Sequence, residues 1–217
     1  MTLLARLRFM VLGWGAVGVA YTTGRLISGT PAVLPETALD RLIPFDPAGI
    51  WLYLSFFVLV PLAYLTTEAQ RVRNLARSMQ LCALLSAIVF VLWPTTLIYP
   101  SIPAGAAGAS VLNGLIASDS AQNCFPSLHG ALTLLCVVAL CSRRRPMLSV
   151  LAVLWGVGIG WSVIQTRRHL AIDLGAGALL GCASGWFVAY VNRRRASPVA
   201  ASTDAEATFE NTLESES

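Results

Sequence analysis

The sequence predicts an all-α integral membrane bundle of about six transmembrane helices with both termini in the cytoplasm, and three observations lead there. Hydrophobic residues make up 56% of the 217 residues and charged residues 12%, whereas ordinary soluble domains carry about 25% charged residues. Mean hydropathy is +0.68. Apolar runs of about 20 residues, the length that spans a bilayer, recur along the chain, and arginine clusters mark alternate gaps between them. Most residues fall inside those runs, so there is room for one bundle and none for a soluble catalytic domain.

The candidate spans lie near residues 9–28, 49–67, 79–99, 127–142, 147–165 and 169–192. The first follows "MTLLARLR" and also has the form of a signal peptide with Ala20 as the cleavage point. Five further spans commit the chain to the membrane, and removal would leave an odd bundle, so it is kept as a span. The fourth is short, and the loop before it, "PSIPAGAAGASVLNGLIASDSAQNCF", holds an apolar piece that is either re-entrant or interfacial. Arg6 and Arg8, Arg71, Arg73 and Arg77, Arg143 to Arg145, and Arg193 to Arg195 mark the cytoplasmic ends by the positive-inside rule. The opposite loops hold Glu36, Asp40, Asp46 and Asp119, with Arg41, Arg167 and Arg168 as their basic residues. Residues 1–195 form the bundle, and the polar, acidic residues 196–217 are expected to be a disordered cytosolic tail.

All 15 positive charges are arginines, and the net charge of +4 lies in short clusters rather than in an aromatic-rich stripe, which gives no nucleic-acid signal. Cys82, Cys136, Cys141 and Cys182 fall in apolar runs, where a thiol is a small hydrophobe, and only Cys124 is loop-borne. No disulfide or metal framework is implied.

Against that background the two histidines stand out. His129 opens the fourth span and His169 the sixth, and the 40 residues between them are one helix away and one helix back, so both belong to the same outer face. Asp173 follows His169 by four residues, one turn along the same stripe, where its carboxylate can accept a ring proton and fix a tautomer. An ionisable group inside a span is costly and marks function. In "FPSLH", Pro126 suits the first turn of a helix and Ser127 presents a hydroxyl beside free backbone N–H groups, an arrangement that binds phosphate or simply caps the span. Arg167 and Arg168 lie just before His169 against the positive-inside trend. They read either as headgroup-reaching side chains or as a guanidinium clamp on phosphate oxygens. Of the two, Arg168 is expected to turn inward and Arg167 to reach the headgroups.

Pro126, Ser127 and His129, followed by Ser162, His169 and Asp173 in their spacing, resemble the Pro-Ser-x-His and Ser-Arg-x5-His-x3-Asp motifs of the type 2 phosphatidic acid phosphatase superfamily. The family's arginine position holds Val163, and its lysine-x6-arginine-proline motif is absent. These departures, with "FPSLH", "LDRLIPFDPAGIWLYL" and "VLWPTTLIYP", are similar to the inositol phosphorylceramide synthase-like branch and its bacterial relatives, over about residues 35–185. The resemblance implies His169 as nucleophile toward phosphorus, Asp173 as its holder, and His129 as acid and then base, with no metal or cofactor. Ser127, Arg167 and Arg168 would stabilise the phosphoryl oxygens, the arginines by position alone.

The substrate so implied is a phosphorylated membrane lipid, and the acceptor is water or a polyol. Catalysis would face outward from a cytoplasmic membrane of bacterial type. Hydrolysis and headgroup transfer stay open, because water or a hydroxyl can resolve the same phosphoenzyme. Two other classes use the same residues: a proton relay in a transporter, and a bis-histidine haem, which gives no reason for Pro126-Ser127 or the arginines.

Overall fold

A computed structural model of the chain describes residues 1–27, 29–119 and 121–215, with side chains through Arg195. The helices are α1 (Leu3–Ile27), α2 (Ala38–Leu42), α3 (Ile50–Leu54), α4 (Phe56–Thr66), α5 (Ala69–Leu92), α6 (Ala109–Ser118), α7 (Leu128–Leu140), α8 (Pro146–Gln165) and α9 (Ala171–Ser215). A 3-10 turn at Pro47–Gly49 leads into α3. Among the described residues five stretches are long and apolar enough to cross a membrane: Leu3–Ile27, Pro47–Thr66, Ala69–Leu92, Pro146–Gln165 and Ala171–Arg195. The expected tail at 196–217 lies outside the residues whose side chains are described.

The third span starts about ten residues earlier than expected and ends sooner. Val72, Leu75, Ala76 and Met79 are buried at helical spacing within the polar stretch that opens α5, so an amphipathic first half joins an apolar second half. Pro94 disfavours helical backbone at Trp93, which is the C-cap. The arginines of this stretch therefore sit on a helix rather than in a loop. Arg77 bonds Asn192 Oδ1 at 3.0 Å, Arg71 donates to the carbonyls of Ala139 and Cys141, and Arg6 donates to the carbonyls of Tyr64 and Thr67. These contacts tie α1, α4, α5, α7 and α9 together at one end.

The second span is interrupted at Ser55, whose hydroxyl donates back to the Leu52 carbonyl at 2.6 Å and accepts from Trp155 Nε1 at 2.7 Å. α1 packs along α5, with Gly13 against the Ala76 backbone and Gly24 against Phe90. α6 has ten residues, about 15 Å of helix, too short to cross a bilayer. It buries Leu112 against the core.

α7 is the innermost helix. At 13 residues it is about 20 Å long, short of the ~30 Å hydrocarbon thickness. Ten of those residues are buried, because α4, α5, α8 and α9 surround it. Its partner on one side is α9, at backbone distance. A Cβ on Gly181 would lie 2.6 Å from the Ala131 carbonyl oxygen, one on Gly130 would lie 2.5 Å from that of Leu174, and one on Gly177 would overlap the Ser127 carbonyl. Small residues at four-residue spacing let the two backbones touch, the usual means of association where lipid competes for apolar side chains.

At the other end of the bundle the loops form a cap. β1 (Ala32–Val33) pairs in parallel with β2 (Thr95–Thr96), and Thr95 also bridges to Asn123. Leu34, Leu97, Cys124 and Leu170 close a small apolar cluster beneath. Thr37 and Asp40 cap α2 reciprocally. Asp40 Oδ1 also accepts from Ala171 N at 2.7 Å, so a side chain of α2, far away in sequence, caps the start of α9.

Candidate active site

Close packing of α7 on α9 brings the two histidines together beneath that cap. His129 is the second residue of α7, and His169 lies in the turn between α8 and α9. His129 Nδ1 is 3.2 Å from His169 Nε2. His169 Nδ1 is 2.8 Å from Asp173 Oδ2, while Asp173 Oδ1 accepts from the backbone N–H groups of Leu170 and Leu174 at 2.7 and 2.9 Å. Asp173 is wholly buried, and His169 and His129 are 4% and 9% exposed. Three donors on one buried carboxylate account for its stability there. Its bond to Nδ1 leaves Nε2 of His169 as the nitrogen with a free lone pair.

Ser127 is the N-cap of α7, and its hydroxyl accepts from Gly130 N at 3.3 Å. Pro126 therefore precedes the cap instead of occupying the first turn, because Ser127 keeps extended backbone angles. The Ser127 N–H donates to the Asp173 carbonyl at 3.0 Å, which locks the start of α7 to the carboxylate-bearing turn of α9.

The two arginines part company. Arg168 places one guanidinium nitrogen 2.8 Å from Asp119 Oδ2 and lies 5.0 Å from the centre of the Tyr99 ring. Its buried Nε has no hydrogen-bond partner among the described residues. Burial opposes its charge, but the Asp119 carboxylate more than offsets that and raises the guanidinium pKa. Asp119 and His129 line one cavity, so the acidic member of the ion pair borders it.

Arg167 turns the other way. It closes α8 with φ 50°, in the left-handed region, a conformation that costs a non-glycine residue about 1–2 kcal/mol. The guanidinium donates to the carbonyls of Ile164, Asp40 and Ile43 at 2.9, 2.7 and 3.0 Å, with Glu36 3.8 Å from Nε. At 9% exposure the side chain is buried against these carbonyls. It fastens the end of α2 to the end of α8, meeting the Asp40 and Ile43 carbonyls while the Ile164 carbonyl also accepts from the Arg167 backbone N–H at 3.0 Å.

Cys124 is buried under Tyr99, and burial pushes its thiol up to about 12, so it is a packed hydrophobe despite its loop position. Three groups escaped the sequence reading. Tyr53 OH lies 2.8 Å from His129 Nε2, Tyr21 OH lies 3.5 Å from Nδ1, and Phe56 packs on the same ring at 4.9 Å between centroids. Aromatic residues in apolar spans carry no signal of this kind, whereas the Thr37 and Asp40 spacing could have marked a cap.

Two largely apolar cavities meet His129. One, of about 570 Å³, lies between α1, α3, α6 and α7 and includes Trp14, Tyr21, Tyr53 and Asp119. The other, of about 470 Å³, runs between α7, α8 and α9 and includes Thr133, Gly156 and Gly160.

A family model described as the PAP2 superfamily matches residues 45–187. No curated protein and no solved structure matches the chain.

Proposed function

Because the chain belongs to the PAP2 superfamily, an integral membrane family with phosphatase-type activity on lipid phosphates, we propose that it transfers the phosphoryl group of a membrane lipid through a phosphohistidine on His169. The observation that carries this reading is the ordered contact from Asp173 through His169 to His129. Asp173 holds the Nδ1 proton of His169, so Nε2 attacks phosphorus as the ester P–O bond breaks. His129, carrying a second proton on Nε2 once the anionic phosphate has entered, gives its Nδ1 proton to the departing oxygen and becomes neutral. It then takes a proton from the incoming hydroxyl, whose oxygen displaces His169 from phosphorus. No step in this scheme calls for a metal.

The phosphoryl group would enter by replacing the contact between the two rings. Arg168 is the cation best placed to meet it, with Asp119 as its partner before substrate arrives, and the start of α7 at Ser127 supplies backbone N–H groups. Arg167 takes no part in phosphate binding in this reading and serves the cap instead. The arginine-rich end, with Arg71, Arg143 to Arg145 and Arg193 to Arg195, would face the cytosol and the histidine end would face outward.

Burial of both histidines between apolar cavities favours an alcohol over bulk water as acceptor, and hence headgroup transfer as the second reading. Inositol is the polyol to try first, given the likeness to inositol phosphorylceramide synthases. Purified protein supplied with phosphatidic acid, other phospholipids and prenyl phosphates, with and without inositol, should release phosphate or form a new lipid. If all of them yield neither phosphate nor a new lipid, the proposal is overturned.

A further inference from the structure

We infer that Tyr53 is the positioning residue of His129: by holding Nε2 it makes Nδ1 the atom that donates and accepts protons at phosphorus. The catalytic consequence rests on the phosphoryl-transfer reading above, whereas the hydrogen-bond order follows from donor counting alone. A neutral imidazole has one N–H and one lone pair. With the Nδ1 proton of His169 on the Asp173 carboxylate, Nε2 of His169 can only accept. His129 must then donate to it from Nδ1, which leaves His129 Nε2 as an acceptor, and Tyr53 O–H is the donor that fills it at 2.8 Å. Tyr21, at 3.5 Å from Nδ1, is the longer and secondary partner on that side.

A tyrosine is suited to this place because its hydroxyl can turn. When His129 carries two protons, Nε2–H needs an acceptor, and the same oxygen provides it. As His129 loses its Nδ1 proton to a departing oxygen, Nε2 keeps its proton against Tyr53, and Nδ1 is left with the lone pair that the second step requires. A flip of the ring would put carbon atoms where both nitrogens now sit, so bonds at both ends hold the productive face toward His169. Tyr53 is 1% exposed, so its hydroxyl is committed to the ring rather than to the surface. It belongs to the five-residue α3, which ends at the Ser55 break, so its position is set separately from that of α4.

The chain has only two histidines, which makes the tautomer directly readable. In full-length protein labelled with ¹⁵N-histidine, at a pH where both rings are neutral, both should be protonated at Nδ1, the less common form. Tyr53→Phe should turn His129 into a tautomer mixture and leave His169 unchanged. A His129 protonated at Nε2 in the unaltered protein would overturn the inference, whether or not the variant folds and whichever substrate proves correct.

Kinetically, Tyr53→Phe should lower kcat about tenfold, part of the 10²–10⁴ that a positioned acid–base group supplies, with KM within about twofold. In a His129→Ala background, followed by the p-nitrophenol burst from p-nitrophenyl phosphate, Tyr53→Phe should cost nothing further. A second tenfold loss there would show that Tyr53 acts without His129 and would refute the assignment. Failure of every substrate, with the tautomers as expected, would count against phosphoryl transfer and not against the role of Tyr53.

Discussion

Gly177→Ala is a test of how the site is assembled, because the substituted residue has no chemistry of its own. The added Cβ would lie 2.8 Å from the Ser127 carbonyl carbon and 3.2 Å from its Cα, and would overlap the oxygen. Ordinary contact is about 3.5–4.0 Å between carbons, so α7 and α9 must separate by about 1 Å at this point. Ser127 is also bonded to the Asp173 carbonyl at 3.0 Å, and His129 follows two residues later. The shift therefore opens the 3.2 Å gap between the imidazoles. A displacement of about 1 Å in a reacting group costs on the order of a hundredfold, while overpacking lowers stability by about 1–3 kcal/mol, offset in part by alanine's better helix propensity. Turnover of the purified protein on its best lipid phosphate, with a thermal melt, reads both effects. Gly175→Ala is the control, since a Cβ there meets nothing within 4 Å on the same helix. If Gly177→Ala matches Gly175→Ala in rate and melting temperature, close approach of α7 and α9 does not set the site.

Asp173→Asn keeps an oxygen for the N–H groups of Leu170 and Leu174 but turns an NH₂ toward His169 Nδ1, which forces the proton to Nε2 and blocks the nucleophile. By analogy with the Asp-to-Asn change in a Ser-His-Asp triad, kcat should fall about 10⁴-fold, with little change in melting temperature. Arg168→Ala should lower kcat roughly a hundredfold, the usual effect of removing one preorganised donor, and Arg168→Lys should restore only part because the paired donors are lost. Arg167→Ala should instead lower stability by about 3 kcal/mol, since the Asp40 and Ile43 carbonyls lose their charged donor, while kcat of the folded fraction stays within about twofold. Equal kinetic losses at 167 and 168 would contradict the division of labour between them.

The histidines and Asp173 were legible in the sequence because each is an exception. A chain this apolar places few ionisable groups inside spans, and spacing alone put them at one end of the bundle. The long helices were legible as apolar runs, apart from the amphipathic first half of α5, whereas α2 has no such run and the run at 127–142 is the 13-residue α7 rather than a full-length span. Position favoured Arg168 as the inward-turning arginine, but it gave the partner of neither side chain. Their roles depend on Asp40 and on Asp119, 127 and 49 residues distant in sequence, and on a left-handed turn that nothing in the local sequence announces. The cap over the site was hidden likewise, since its strands are two residues each and pair across more than 60 residues of chain.

The central claim is that His169 Nε2 becomes bonded to phosphorus, and rapid quenching of the purified protein with ³²P-labelled lipid phosphate tests it most directly. An acid-labile, base-stable label should map to the peptide containing His169, vanish in His169→Ala, and discharge when water or inositol is added back. A label that persists in His169→Ala, or product formed at the normal rate by that variant, would contradict it.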